Sequence, residues 1–152
     1  MTAGDIHSFS YKQRDLPKAT GATLESGTFA TVNAADPRAY VTAPAGETDP
    51  CVVVIPKNVT GEAIGQSPPS MLTYASAETK FSGLLEGVVS VIVLTGVTLF
   101  RDDKIKVGAN GHATKYVDGT DTDFRLVKGK MIDAKVIGNG VLTAKIMIGV
   151  TN

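Results

Sequence analysis

One stretch limits the folds open to this chain more than any other: Gly87-Val88-Val89-Ser90-Val91-Ile92-Val93-Leu94, followed after Thr95-Gly96 by Val97-Thr98-Leu99-Phe100. A run so rich in β-branched residues and bounded by glycines predicts a strand buried over much of both faces, because a helix of that length would rarely lack Ala, Glu and Lys. Two alternating units follow it. Lys104–Val107 and His112–Val117 flank Gly108-Ala109-Asn110-Gly111, and Asn-Gly between alternating apolar residues is a strong hairpin signal, since both residues tolerate the positive φ of a type I′ turn. Met131–Ile137 and Val141–Val150 flank Gly138-Asn139-Gly140 and predict a second hairpin. The fold class expected is all-β: a small β-barrel or β-sandwich of hairpins with an extended N-terminal arm.

The 152 residues suffice for one domain with a core and are too few for two ordinary ones. The expected division is an arm over residues 1–28 and a single β domain over 29–152. Residues 1–28 show no sustained period, yet Phe9, Tyr11 and Leu16 stand among Lys12, Arg14 and Lys18, a mixture expected of a segment that orders against a partner. Short strands are expected over Thr28–Val32 and Ala39–Thr42, around the turn-forming Asn33–Pro37, and an apolar strand over Cys51–Ile55. Residues 57–70, with Gly61, Gly65 and Pro68-Pro69, predict a surface crossing. Ser76–Leu85 reads either as a turn or two of helix or as a strand leading into Val88.

Formal net charge is zero, so no global field steers the chain to nucleic acid or an anionic membrane. The charge is uneven, with nine Lys or Arg against six Asp from Arg101 onward and four against six in the first fifty residues. Met1–His7 has neither a basic nor an apolar leader region, so no secretory signal is expected, and the longest apolar stretch is about half the ~20 residues a spanning helix needs. The single Cys51 excludes an intrachain disulfide, and its apolar neighbours predict a buried, inert thiol.

Catalytic chemistry is not written in any motif. His7 and His112 lie outside nucleophile and metal patterns, Gly-x-Ser-x-Gly is absent, and no phosphate loop precedes a helix. Asp118-Gly119-Thr120-Asp121-Thr122-Asp123 is the best cation candidate, but it misses the EF-hand spacing and reads as a solvated acidic turn. Lys104, Lys106 and Lys115 are expected on one outward sheet face. No enzyme, cofactor or metal site is expected.

Taken together, Glu86-Gly87-Val88-Val89, Gly96-Val97, Asp103–Val107, Asn110-Gly111-His112-Ala113 and Lys130–Ala134 before Gly138-Asn139-Gly140 resemble the small β-barrel capsid decoration, or cement, proteins of tailed bacteriophages. The family's Gly-Asp-x-Val/Ile step appears here as Arg101-Asp102-Asp103-Lys104, and Ile132-Asp133-Ala134 also lacks the family's glycine. The resemblance covers about residues 84–150. It implies a non-enzymatic virion protein on the outer surface of an icosahedral head, a homotrimer that ties neighbouring major capsid subunits together. Phe9, Tyr11, Lys12, Arg14 and Leu16 would then be capsid contacts of the arm. The alternative is a β-barrel or sandwich module binding carbohydrate or a host surface, as in a spike or fibre head, although a chain with no Trp and four Tyr is poor in stacking aromatics.

Overall fold

The computed structural model describes residues 3–7, 11–58, 70–71, 73–140 and 143–149. Its strands are Lys12–Pro17 (β1), Leu24–Glu25 (β2), Phe29–Val32 (β3), Tyr40–Thr42 (β4), Cys51–Val54 (β5), Lys57–Asn58 (β6), Ser70–Met71 (β7), Thr73–Tyr74 (β8) and Lys80–Ile92 (β9). Thr98–Phe100 (β10), Lys104–Val107 (β11), Ala113–Lys115 (β12), Gly129–Met131 (β13), Lys135–Ile137 (β14) and Thr143–Ile148 (β15) complete them. The chain is all-β, a curled half-barrel of antiparallel strands in the order β12-β11-β13-β15-β9-β5-β3-β4, with β1 also paired to β9. Short ribbons β10-β14, β2-β8 and β6-β7 lie outside this sheet.

The apolar run is the C-terminal half of β9, which at thirteen residues is the longest strand described. Ser76–Leu85, open between helix and strand, enters it as strand after a turn closed by the Glu78 N–H on the Ala75 carbonyl. Residues 80–86 pair with β1 and, at Gly83 and Leu84, with β5, whereas residues 87–92 pair with β15. The two halves are joined by a bulge. Lys12 stands opposite Glu86 and Gln13 opposite Leu84, so Leu85 is passed over, and Gly87 follows at φ 141°. The extra residue reverses the alternation: Leu84 and then Val89, Val91 and Val93 enter one core, while Phe81 and Leu85 meet another. Without the bulge, the even-numbered Leu84 and the odd-numbered valines would face opposite ways.

The larger core lies inside the curl and joins Phe29, Val53, Leu84, Val89, Val91, Leu99, Ile105, Met131 and Ile146. The second, on the other side of β5 and β9, holds Leu24, Ala30, Val52, Val54, Tyr74 and Phe81, with Phe81 met edge-on by Tyr40 and Tyr74. Two cores explain the unbroken apolar run in β5: Val53 faces one, Val52 and Val54 the other. Cys51, at the rim of this strand, is half-buried rather than fully enclosed.

The Asn-Gly hairpin forms as expected, with Ile105, Lys106 and Val107 opposite Lys115, Thr114 and Ala113. Asn110 and Gly111 take φ 58° and 71°, and the His112 N–H closes on the Ala109 carbonyl, as a type I′ turn requires. This turn also draws the sheet's two ends together. A Cβ at Gly111 would sit 2.9 Å from both the Phe29 carbonyl oxygen and Thr42 Cγ2, and nearby the Gly46 N–H reaches the Val107 carbonyl at 2.9 Å.

The second expected hairpin opens instead of closing. β13 pairs with β15 from Gly129 opposite Ile148 to Met131 opposite Ile146, and the Ile132 N–H still bonds the Lys145 carbonyl. The Asp133 carboxylate then takes the Lys145 N–H at 2.8 Å, ending the ladder, and β14 turns away to pair with β10.

The arm is extended and, along its described length, already paired. Gly4 and His7 donate to the Ser90 and Val88 carbonyls, Ser90 donates back to Asp5, and β1 covers residues 80–86. β9 itself supplies the backbone groups that an extended segment needs.

Candidate interaction surfaces

The five arm residues expected to make contacts differ in burial. Tyr11 is 48% exposed, Lys12 meets Glu86 in an exposed pair at 3.3 Å, and Arg14 is exposed opposite Gly83. Leu16, on the same face of β1 as Arg14, sits nearer the second core and packs on it beside Phe81. Phe9 lies outside the described residues. A buried lysine anchors the end of this segment: Lys18, 5% exposed, donates from Nζ to the carbonyls of Ala19, Ala22 and Ser76.

The lysines on and beside β11 and β12 are each matched by a carboxylate, although Lys115, opposite the buried Ile105, lies on the other face of the pair from Lys104 and Lys106, against the expectation of one shared face. Lys104 meets Asp118 at 3.0 Å, Lys106 meets Asp121 at 2.7 Å, Lys115 meets Asp103 at 3.2 Å and Lys130 meets Asp102 at 3.4 Å. The acidic turn and the basic face are thus one surface, and a face that neutralises itself has little field with which to draw a charged partner. The turn's carboxylates also serve the backbone. Asp121 accepts the Val117 N–H, and the Lys106 ammonium and this amide hold its carboxyl below the usual range; Asp123 accepts the Arg125 N–H and is lowered by the same residue's guanidinium. Among the described residues no three His, Cys, Asp or Glu side chains gather as a metal site.

One pair was not legible in the sequence. His7 Nε2 lies 2.7 Å from Ser90 Oγ, although the two are 83 residues apart. Only the pairing of the arm with β9 unites them, and no local motif encodes it. Ser90 is fully buried in the middle of a regular strand, so its hydroxyl presents no face to an acyl substrate, unlike a nucleophile carried on a sharp turn. Burial pushes the Cys51 thiol up to about 12, and its Sγ donates to the Asp49 carbonyl at 3.4 Å. It stays protonated at neutral pH and is a poor nucleophile.

Large apolar side chains are also exposed on the β10-β14 ribbon and on the loop after β12. On the β10-β14 ribbon Thr98 lies opposite Ile137 and Phe100 opposite Lys135; Phe100 and Ile137 are 48% and 55% exposed, and the Lys135 ammonium lies 5.7 Å from the Phe100 ring centroid. Beside them Lys135, Val136, Ile137 and Thr143 line an open, largely apolar cleft of about 450 Å³, left where β14 parts from β15. On the loop after β12, Phe124 is 77% exposed and Val117 44%. A polar cleft of about 380 Å³ beside β1 includes Asp15, Glu78 and Lys80, with Asp15 accepting from Ser82 Oγ at 3.0 Å.

No family model matches the chain, and no curated protein matches it. Among solved structures it is similar to the N base of the head fibre gp8.5 of bacteriophage phi29, at 9% identity and a TM-score of 0.49, over 90% of this chain and 94% of that one.

Proposed function

We propose that the protein is a structural component of a phage virion. In this reading it binds the outer surface of an icosahedral head and, as a homotrimer, cements neighbouring major capsid subunits. The observation that carries a binding role is the exposure of Tyr11, Phe100, Phe124 and Ile137 on a chain whose lysines on β11, β12 and β13 are each paired with a carboxylate. Aromatic and aliphatic anchors on a preordered scaffold suit protein contacts, because little conformational freedom is lost when they are covered. The assignment to a capsid comes from the sequence resemblance over residues 84–150.

The reading treats the protein as non-enzymatic, consistent with a Ser90 hydroxyl closed to substrate and a Cys51 thiol held protonated. The test is incubation of the purified chain with heads lacking it, followed by co-sedimentation and cryo-electron microscopy. Density tying neighbouring capsid subunits, and heads that withstand more heat or chelator, are the expected results. Failure to bind heads together with selective retention on a glycan array would replace this role by the spike or fibre-head alternative, in which the exposed Tyr11 and Phe124 rings would be the stacking surfaces.

A further inference from the structure

We propose that the half-barrel opens and closes along a single seam, where the β11-β12 end of the sheet meets the β3-β4 end, and that Lys128 is the latch that holds it shut. The proposal stands apart from the virion role, since it concerns only how the fold moves.

Elsewhere the curled sheet is held by ladders, as where β15 runs beside β9 from Thr143 opposite Ile92 to Ile148 opposite Gly87. β12 and β4, the two ends of the strand order, do not pair with each other. Among the described residues, two hydrogen bonds join the two sides. The Gly46 N–H donates to the Val107 carbonyl at 2.9 Å, and Lys128 Nζ donates to the Asp49 carbonyl at 2.6 Å. The rest of the seam is contact without hydrogen bonding, with the bare backbone of Gly111 close against Phe29 and Thr42.

Lys128 is placed to act as a latch because it grips both sides. Its own N–H bonds the Ile105 carbonyl of β11 at 2.7 Å, while its ammonium crosses to Asp49, in the loop that leads into β5. The same ammonium donates to the Arg125 carbonyl at 2.7 Å, which fixes the direction of the side chain. The end of β9 meets both sides as well: the Ile92 N–H bonds the Gly27 carbonyl and the Leu94 N–H the Ala113 carbonyl, each at 2.9 Å. Bonds from one continuous strand make a pivot, and bonds from two loops make a closure that parts without breaking a ladder. Opening uncovers Phe29, Ala43, Ile105 and Val107, all buried in the larger core. That apolar cost keeps the open state a minor population.

Cys51 reports on the seam from within. Its Sγ donates to the same Asp49 carbonyl that receives Lys128, and its side chain packs against the larger core. While the seam is closed the thiol stays protonated, so alkylation proceeds through the open state.

The test follows the Gly46 amide by native-state hydrogen exchange and Cys51 by iodoacetamide, in the full chain and in two variants. In the parent, Gly46 is expected to exchange through an opening with a far smaller urea dependence than the β9 and β15 amides, which wait for global unfolding. Lys128→Met is expected to speed Gly46 exchange and Cys51 alkylation by about tenfold, the effect of losing a charged donor. Both carbonyls it releases are exposed and pass to water, so the variant keeps its fold. Lys18→Met, which breaks a tie remote from the seam, is expected to speed the β9 and β15 amides and leave Gly46 and Cys51 unchanged. The proposal is overturned by a Gly46 amide that shares the urea dependence of β9, which removes the seam in the parent alone. It is equally overturned if Lys128→Met leaves both rates unchanged, or if Lys18→Met speeds Gly46 as much as it speeds β9.

Discussion

Single residues set the backbone where side chains alone do not. Gly111 is left-handed, and a Cβ there would strike the opposite end of the sheet, so Gly111→Val combines strain at positive φ with a clash at the point of closure. The expected loss is about 2–4 kcal/mol, read as a melting temperature lower by about 5–15 °C. Gly46→Val is the control, since Gly46 has φ 74° but nothing within 4 Å of an added Cβ, and it should lose less. Asp102 is the converse. It occupies φ 70°, where glycine carries no steric penalty, and its partner Lys130 is held only in an exposed pair. Asp102→Gly should therefore leave the melting temperature unchanged or raise it, by up to about 1 kcal/mol of stability. Asp121 carries a pH dependence. Its folded carboxyl lies below the ordinary 3.8 because of Lys106 and the Val117 amide, so its contribution is present above 3.8 and fades as pH falls through the lower folded value. Chemical denaturation of Asp121→Asn and the parent should differ at pH 7 and converge under acid.

At the scale of elements, the junctions between strands carry more information than the strands. Lys18 joins the end of β1 to the turns at Ala22 and Ser76 through three carbonyls, so Lys18→Met should cost about 1–3 kcal/mol by leaving acceptors unpaired, measurable as a lower urea midpoint with unchanged m-value. A lysine in a stretch of mixed composition gives no hint of that burial. The strands themselves were legible. β-branched alternation marked β3, β4, β5, β9, β11 and β12, and Asn110-Gly111 fixed its turn because both residues are suited to positive φ. The second hairpin was legible only for its first turn of ladder. Met131 and Ile132 keep register with β15, but whether Asp133 faces water or caps the Lys145 amide is a tertiary choice that residue spacing does not encode. Lys104 and Lys106 were rightly placed on an outward face, but Lys115 stands opposite the buried Ile105 and so belongs to the other face, and the cancellation of Lys104 and Lys106 by Asp118 and Asp121 depends on how the loop after β12 folds back. Exposed anchors such as Phe124 are likewise invisible to pattern reading, which assigns aromatics to cores.

For the whole molecule, the arm decides how stability and attachment are divided. An arm that ordered only on a partner would be dispensable for folding. Here, deleting residues 1–17 removes β1 from residues 80–86, the Gly4, Asp5 and His7 bonds to Ser90 and Val88, and the packing of Ile6 and Leu16 on the two cores. Unpaired backbone on the central strand and two uncovered apolar contacts add up to a loss comparable with the whole stability of a marginal domain. The truncated chain should therefore melt at least 10 °C lower or fail to remain soluble, and its failure to bind heads would carry no information about contacts. Attachment is instead read from Tyr11→Ala, Lys12→Ala and Arg14→Ala, whose side chains are exposed on β1 or just before it. Each should leave the melting temperature within about 2 °C, because exposed substitutions away from packing change stability by about 0.5 kcal/mol or less. If the arm contacts the capsid, Tyr11→Ala should lower head occupancy most, and the Lys12 and Arg14 effects should shrink as salt screens them. Undiminished occupancy in all three would move attachment off the arm and onto the body of the half-barrel, while a folded, fully stable truncation would show that β9 does not need β1.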